Sequence, residues 1–109
     1  MELNAFATST VYTLKESVDY SIGSTVSKII SRNEKGNLTL FAFDKGQNLS
    51  VHTAPYDAIV QVLDGIGTVI IDEKSYQLTE GQFIIMPAHI PHAIEANEQF
   101  KMLLIMIKA

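Results

Sequence analysis

The sequence predicts an all-β domain, either a sandwich or a barrel of antiparallel strands. Short apolar runs alternate with turn segments along almost the whole chain. Those turn segments contain Gly, Asn and Asp, the residues that most readily accept the backbone angles of tight turns. The length of 109 residues is enough for one domain with its own core, so we predict a single domain over residues 1–109.

Ten runs are predicted as strands because each is short, apolar or alternating, and bounded by turn residues. In chain order they are Val11–Leu14, Val26–Arg32, Leu38–Asp44, Asn48–His52, Ala58–Leu63, Thr68–Asp72, Ser75–Leu78, Gln82–Met86, His92–Ala96 and Lys101–Ile107. Turn residues fill the gaps between them at 33–37, 44–46, 64–67, 72–74 and 79–81. The segment Lys15–Ser24 agrees equally with a helical turn, a short strand or a loop, and it stays open.

The composition excludes several classes of function. Eight basic and twelve acidic residues give a net charge of −4, so neither nucleic acid nor an anionic membrane surface is expected as a partner. The chain contains no cysteine, which excludes disulfide scaffolds, thiol nucleophiles and cysteine metal sites. The first residues do not resemble a signal peptide, and the apolar stretch from Gly81 to Ile94 is too short to span a bilayer. We therefore expect a soluble cytoplasmic protein.

Three predicted strands are apolar on both faces, namely Ile59–Leu63, Phe83–Met86 and Met102–Ile107. An antiparallel sheet with one wet face would instead alternate between apolar and polar residues. The second face therefore needs a cover, and a second copy of the chain is the simplest one. The sequence predicts a homodimer.

Two sets of spaced residues carry the chemistry of the chain. The first is Gly46, five residues, His52, one residue, Ala54, three residues, Ala58, six residues and Gly65; the second is Gly81, five residues, Pro87, one residue, His89, two residues and His92. These spacings resemble the two motifs of the small, single-domain bacterial cupins, over about Leu38 to Ile107. The resemblance implies a jelly roll of two packed antiparallel sheets, usually dimeric. We expect residues 1–37, as N-terminal strands and a loop, to pack on the motif-bearing barrel of residues 38–107.

The resemblance also implies where a metal would bind. In cupins the first motif usually supplies two histidines and a glutamate or glutamine, and the second motif supplies one more histidine. His52 and His92 match the first and last of these ligands, whereas Ala54 and Ala58 stand at the other two positions. His89 replaces the glycine of the second motif.

The two alanines favour a small-molecule pocket, because they leave the mouth of the barrel wider and more apolar. We expect Ala54, Ala58, Val60 and Val62 to line one wall with His52, since strand alternation places them on one face. In this interpretation His52 and His92 are hydrogen-bond partners of a small organic ligand rather than metal ligands.

Two alternatives stay open. A metal-dependent enzyme, such as a dioxygenase or an isomerase, would hold Zn, Fe, Mn or Ni through His52 and His92 and needs a third ligand. Only Asp57 or His89 is close enough in sequence, and Asp57 would need a β-bulge between Pro55 and Ile59 to turn inward. A regulatory or structural dimer, with its barrel filled by its own side chains, is the other alternative.

Overall fold

The computed structural model describes residues 6–108, which form nine strands and one short helix. A 3₁₀ turn at Leu14–Glu16 precedes the strands. The strands are β1 (Thr25–Asn33), β2 (Gly36–Phe43), β3 (Asn48–His52), β4 (Ala58–Gly65), β5 (Gly67–Ile71), β6 (Lys74–Leu78), β7 (Phe83–Met86), β8 (His92–Glu95) and β9 (Phe100–Ile107). Among residues 6–108, no helix is both long enough and apolar enough to cross a membrane.

The strands form two antiparallel sheets that pack face to face. The large sheet has the order β1-β2-β9-β4-β7, and the small sheet has the order β3-β8-β5-β6. The chain crosses between the sheets after β2, β3, β4, β6, β7 and β8, which is the winding of a jelly roll. The predicted all-β fold of two packed sheets is confirmed.

One predicted strand is wrong. Residues 11–13 have no regular structure, and the chain enters the 3₁₀ turn at Leu14. Val11 is 97% exposed, so its β-branched side chain has no apolar surface to pack against. The segment left open at Lys15–Ser24 contains the rest of that turn, followed by irregular backbone that leads into β1.

The main core lies between the two sheets. Its most buried aromatic residues, Phe43 and Phe100, stack with ring centroids 4.8 Å apart, and Phe41 extends the stack to a third ring. Burial of such rings removes a large apolar area from water and is the dominant stabilising contribution in a domain of this size. The rest of the cluster consists of Ala58, Val60, Val62, Val69, Leu78, Met86, Ile94, Ala96 and Met102.

A second hydrophobic cluster covers part of the outer face of the large sheet, the face opposite the main core. On the outer side of the large sheet, Leu40 and Leu103 pack against Val18, which is fully buried although it lies in the irregular N-terminal segment. The Tyr20 hydroxyl fixes this segment by donating to Asp64 Oδ2 at 2.7 Å, and burial, reinforced by the Asp64 carboxylate, raises the pKa of Tyr20. The chain itself therefore covers the β2 side of this face.

Candidate functional site

His52 and His92 meet at one end of the barrel. His52 is the last residue of β3 and His92 is the first of β8, and the two are directly opposite in the register of these neighbouring strands. An irregularity in the pairing between Leu49 and His52 shifts the register just before this point. Such a bulge re-aims the side chain that follows it. The structure thus brings together two side chains that are forty positions apart in the sequence.

The two imidazole rings touch through their Nε2 atoms, which lie 3.1 Å apart with the ring planes at 71°. Each Nδ1 is directed at a backbone carbonyl. His52 Nδ1 lies 2.7 Å from the Ser50 oxygen, and His92 Nδ1 lies 3.2 Å from the Ile90 oxygen. A carbonyl oxygen only accepts hydrogen bonds, so these two contacts favour the tautomer of each ring with its proton on Nδ1. In that tautomer, both Nε2 atoms of the neutral pair present lone pairs to the same point.

This arrangement has a clear electrostatic consequence. Two lone pairs that face each other at 3.1 Å repel, whereas a single proton between them makes an N–H···N hydrogen bond and gives the pair one positive charge. His92 is 3% exposed, and its burial lowers its pKa; the Ile90 carbonyl opposes that shift, and the charge of His52 adds to it. His52 is exposed.

The residues of the predicted pocket wall come from both sheets. Ala58, Val60 and Val62 lie on β4 in the large sheet, whereas His52 lies on β3 in the small sheet that packs against it. Alternation along a strand predicts which face of its sheet a side chain lies on, but it does not predict which of the two sheets the strand joins. Val60 and Val62 are fully buried in the core, and Ala58 is 1% exposed. Ala54, in the loop after β3, is half-buried.

Neither predicted third ligand joins the pair. Asp57 Oδ1 accepts the backbone N–H of Ala88 at 2.8 Å. His89 has a left-handed φ of +65° and donates its own N–H to the Ala54 oxygen at 2.8 Å. Over residues 6–108, no group of three His, Cys, Asp or Glu side chains is placed to hold a metal ion. A catalytic metal site needs about three protein ligands, so the side chains present do not fit one.

Sequence reasoning missed the backbone groups that orient the rings. The Ser50 and Ile90 carbonyls fix which nitrogen of each ring is protonated, but a main-chain carbonyl has no residue-type signature. It also missed Ile71, which lies opposite His92 in the pairing of β5 with β8. That neighbour follows only from the order of strands in the small sheet, which no local pattern reveals.

Comparisons with known proteins agree on the architecture. The family model described as cupin domain matches residues 39–108. A conserved protein of unknown function from Streptococcus pyogenes is 36% identical, with a TM-score of 0.91 over 100% of this chain and 96% of that chain. A cupin 2 conserved barrel domain protein from Leptotrichia buccalis is 43% identical, with a TM-score of 0.86 over 89% of this chain and 47% of that chain.

More distant structures show the same fold. A cupin superfamily protein from Desulfitobacterium hafniense is 22% identical and has a TM-score of 0.90, with full coverage of both chains. At that identity the likeness concerns the fold alone. No curated protein matches the sequence.

Proposed function

The chain belongs to the cupin family, and from that premise we propose that it is a small-molecule-binding barrel whose polar anchor is the pair of His52 and His92. The proposed ligand is a small weak acid with an apolar body. The ligand binds as its anion, the two Nε2 atoms take up one proton from the solvent, and the anionic oxygen lies beside the resulting cationic pair.

One observation carries this proposal: both Nδ1 atoms are committed to backbone carbonyls, so both Nε2 lone pairs converge on one point. A proton satisfies that point, and the pair then carries a positive charge. Within the part of the chain that is described, no carboxylate side chain forms a three-membered cluster with the pair. An anion from outside the protein is therefore the natural partner of this charge.

The surroundings favour an apolar body for the ligand. Leu49 and Ile71 contact the main core but are only half-buried, and they lie on β3 and β5, the strands that contain or flank the pair. The positions of the other two cupin ligands are occupied by the methyl groups of Ala54 and Ala58. A few polar groups in a mostly apolar setting are typical of small-molecule sites.

The test compares three acids with their amides: benzoate, phenylacetate and hexanoate against benzamide, phenylacetamide and hexanamide. A ligand that binds only the folded state adds about 2.7 kcal/mol of stability at a concentration of 100 times its Kd. We expect at least one acid to raise the melting temperature with uptake of a proton, measured by calorimetry in buffers of different ionisation enthalpy. The matching amide should have no effect.

Two outcomes would contradict the proposal. Equal stabilisation by an acid and its amide would show that the proton has no role. Stoichiometric Zn, Fe, Mn or Ni in protein purified without chelator would favour the alternative, a metal-dependent cupin enzyme that uses His52 and His92.

We also propose that a second copy of the chain covers the rest of the outer face of the large sheet. Four side chains from β4, β7 and β9 line an open groove there of about 440 Å³, which we call the isoleucine groove: Ile59, Ile85, Ile105 and Ile107. Ile85 and Ile107 are 50% and 61% exposed. Contiguous exposed apolar side chains of this kind usually mark an interface.

The variant Ile85→Lys tests this interface. A charge in an apolar contact must be desolvated without a partner, so we expect sedimentation to show a dimer for the native chain and a monomer for the variant at micromolar concentration. The matched control is Ile22→Lys, because Ile22 is 95% exposed and lies in the N-terminal segment, outside the groove. A native chain that sediments as a monomer would contradict the proposal.

A further inference from the structure

Two loops at the mouth of the barrel are bound to each other. The β3–β4 loop, residues 53–57, begins directly after His52, and the β7–β8 loop, residues 87–91, ends directly before His92. The backbone N–H of His89 donates to the Ala54 oxygen, and the backbone N–H of Ala88 donates to Asp57 Oδ1, both at 2.8 Å. Each loop is thus directly adjacent to one histidine of the pair, and two consecutive N–H groups join the loops.

The second of these loops also sets the orientation of the His92 ring. The Ile90 carbonyl is the partner of His92 Nδ1, and the Ile90 N–H approaches the Pro87 oxygen at 3.4 Å, which makes the loop a tight turn. Ala88 and His89 lie inside that turn. A displacement of their N–H groups would therefore move the Ile90 carbonyl, and with it the ring that it orients.

We propose that Asp57 is a positioning residue, whose carboxylate latches the β7–β8 loop so that the Nε2 atoms of His52 and His92 meet at hydrogen-bonding distance. Of these two hydrogen bonds, the one from Ala88 is accepted by a side chain and the one from His89 by the backbone. The expected effect of Asp57 on ligand affinity rests on the proposed function. The geometry that supports the latch itself does not depend on what the ligand is.

The side chain of Asp57 has the reach and chemistry for this role but no contact with the pair. It is the last residue before β4, and its Oδ1 atom accepts from the opposite loop. Together with Tyr56 and Ala88 it also borders the isoleucine groove, so it lies on the outer side of the large sheet. Asp57 therefore acts through the backbone and not as a ligand of any group held by the two imidazoles.

The test uses Asp57→Ala and Asp57→Asn in the full chain. Asparagine keeps an oxygen that can accept the Ala88 N–H, whereas alanine removes it. Nitrogen-detected NMR of the imidazole rings reports their tautomers without any ligand. We expect Asp57→Ala to shift the His92 ring signals and to weaken the best-binding acid about fivefold, which is the scale of one lost hydrogen bond. Asp57→Asn should restore both measurements to near the native values.

The control is Asp19→Ala, which removes one exposed carboxylate that lies outside the two loops. Sedimentation of every variant separates an effect on the mouth from an effect on the dimer. Native ring signals in Asp57→Ala would overturn the latch, and so would an Asp57→Asn variant that behaves like Asp57→Ala. If no acid binds the native chain but Asp57→Ala still shifts the ring signals, the proposed function fails and the latch stands.

Discussion

Replacing Phe100 with alanine should lower the free energy of unfolding by about 3–5 kcal/mol, the usual cost of truncating a fully buried aromatic ring. Phe100 is the first residue of β9, the central strand of the large sheet, and none of its surface is exposed. Its ring stacks on Phe43 with centroids 4.8 Å apart. Gly67 also lies against this ring, since a Cβ atom built there would come within 2.6 Å of it.

The site cannot collapse easily around the missing ring. Gly67 has no side chain to move into the space, and Phe43 is held between Phe100 and Phe41. Chemical denaturation followed by circular dichroism measures the loss of unfolding free energy. An unchanged slope of that free energy against denaturant concentration would show that the variant exposes the same surface on unfolding as the native chain. The control is Val11→Ala, because Val11 is 97% exposed and lies in the N-terminal segment before the first strand. A loss below about 1.5 kcal/mol for Phe100→Ala would contradict the importance of this stack.

The strands could be predicted because two local signals coincide in this chain. Gly or Asn occurs where the backbone must reverse, as at Gly46 and Gly65, which have φ angles of +88° and +75°. Apolar runs between such points have few alternatives to a strand. The prediction failed at Val11–Leu14, because a short apolar run becomes a strand only when a neighbouring strand pairs with it and a core accepts its side chains.

The two histidines could be predicted from spacing, but their surroundings could not. His52 and Ala58 are six positions apart, yet the chain crosses to the other sheet between them. Periodicity along a strand has no information about such a crossing. Periodicity also does not predict what covers the outer face of the large sheet. Val18 packs on Leu40 and Leu103 there from a segment without regular structure. Both features depend on contacts between residues distant in sequence.

The requirements of fold stability and of ligand binding differ at His92. His92 is 3% exposed and its strand neighbours Ala93 and Ile94 are buried, so an apolar residue of similar shape there would avoid the cost of burying a polar ring. Its hydrogen bond to the Ile90 carbonyl offsets part of that cost. If an apolar residue can replace His92 without loss of stability, ligand binding explains its presence better than the fold does.

The variant His92→Phe tests that argument directly. The phenyl ring fills a similar volume and carries no nitrogen, so the free energy of unfolding should stay within about 1 kcal/mol of the native value. The same change removes one of the two converging lone pairs and with it the shared proton. We expect at least about a tenfold loss of affinity for the acid that binds best, equivalent to about 1.4 kcal/mol. Isothermal calorimetry measures the affinity, and chemical denaturation measures the stability.

The partner variant and a third histidine complete the experiment. His52→Phe should lose the same affinity, and the double variant should lose little more than either single one, because two groups that hold one proton act as a unit. His89→Asn removes the chain's remaining imidazole with a residue that tolerates the left-handed backbone there, and it should bind the acid normally. Additive losses in the double variant would mean that the two imidazoles bind independently, and the shared proton would then be wrong.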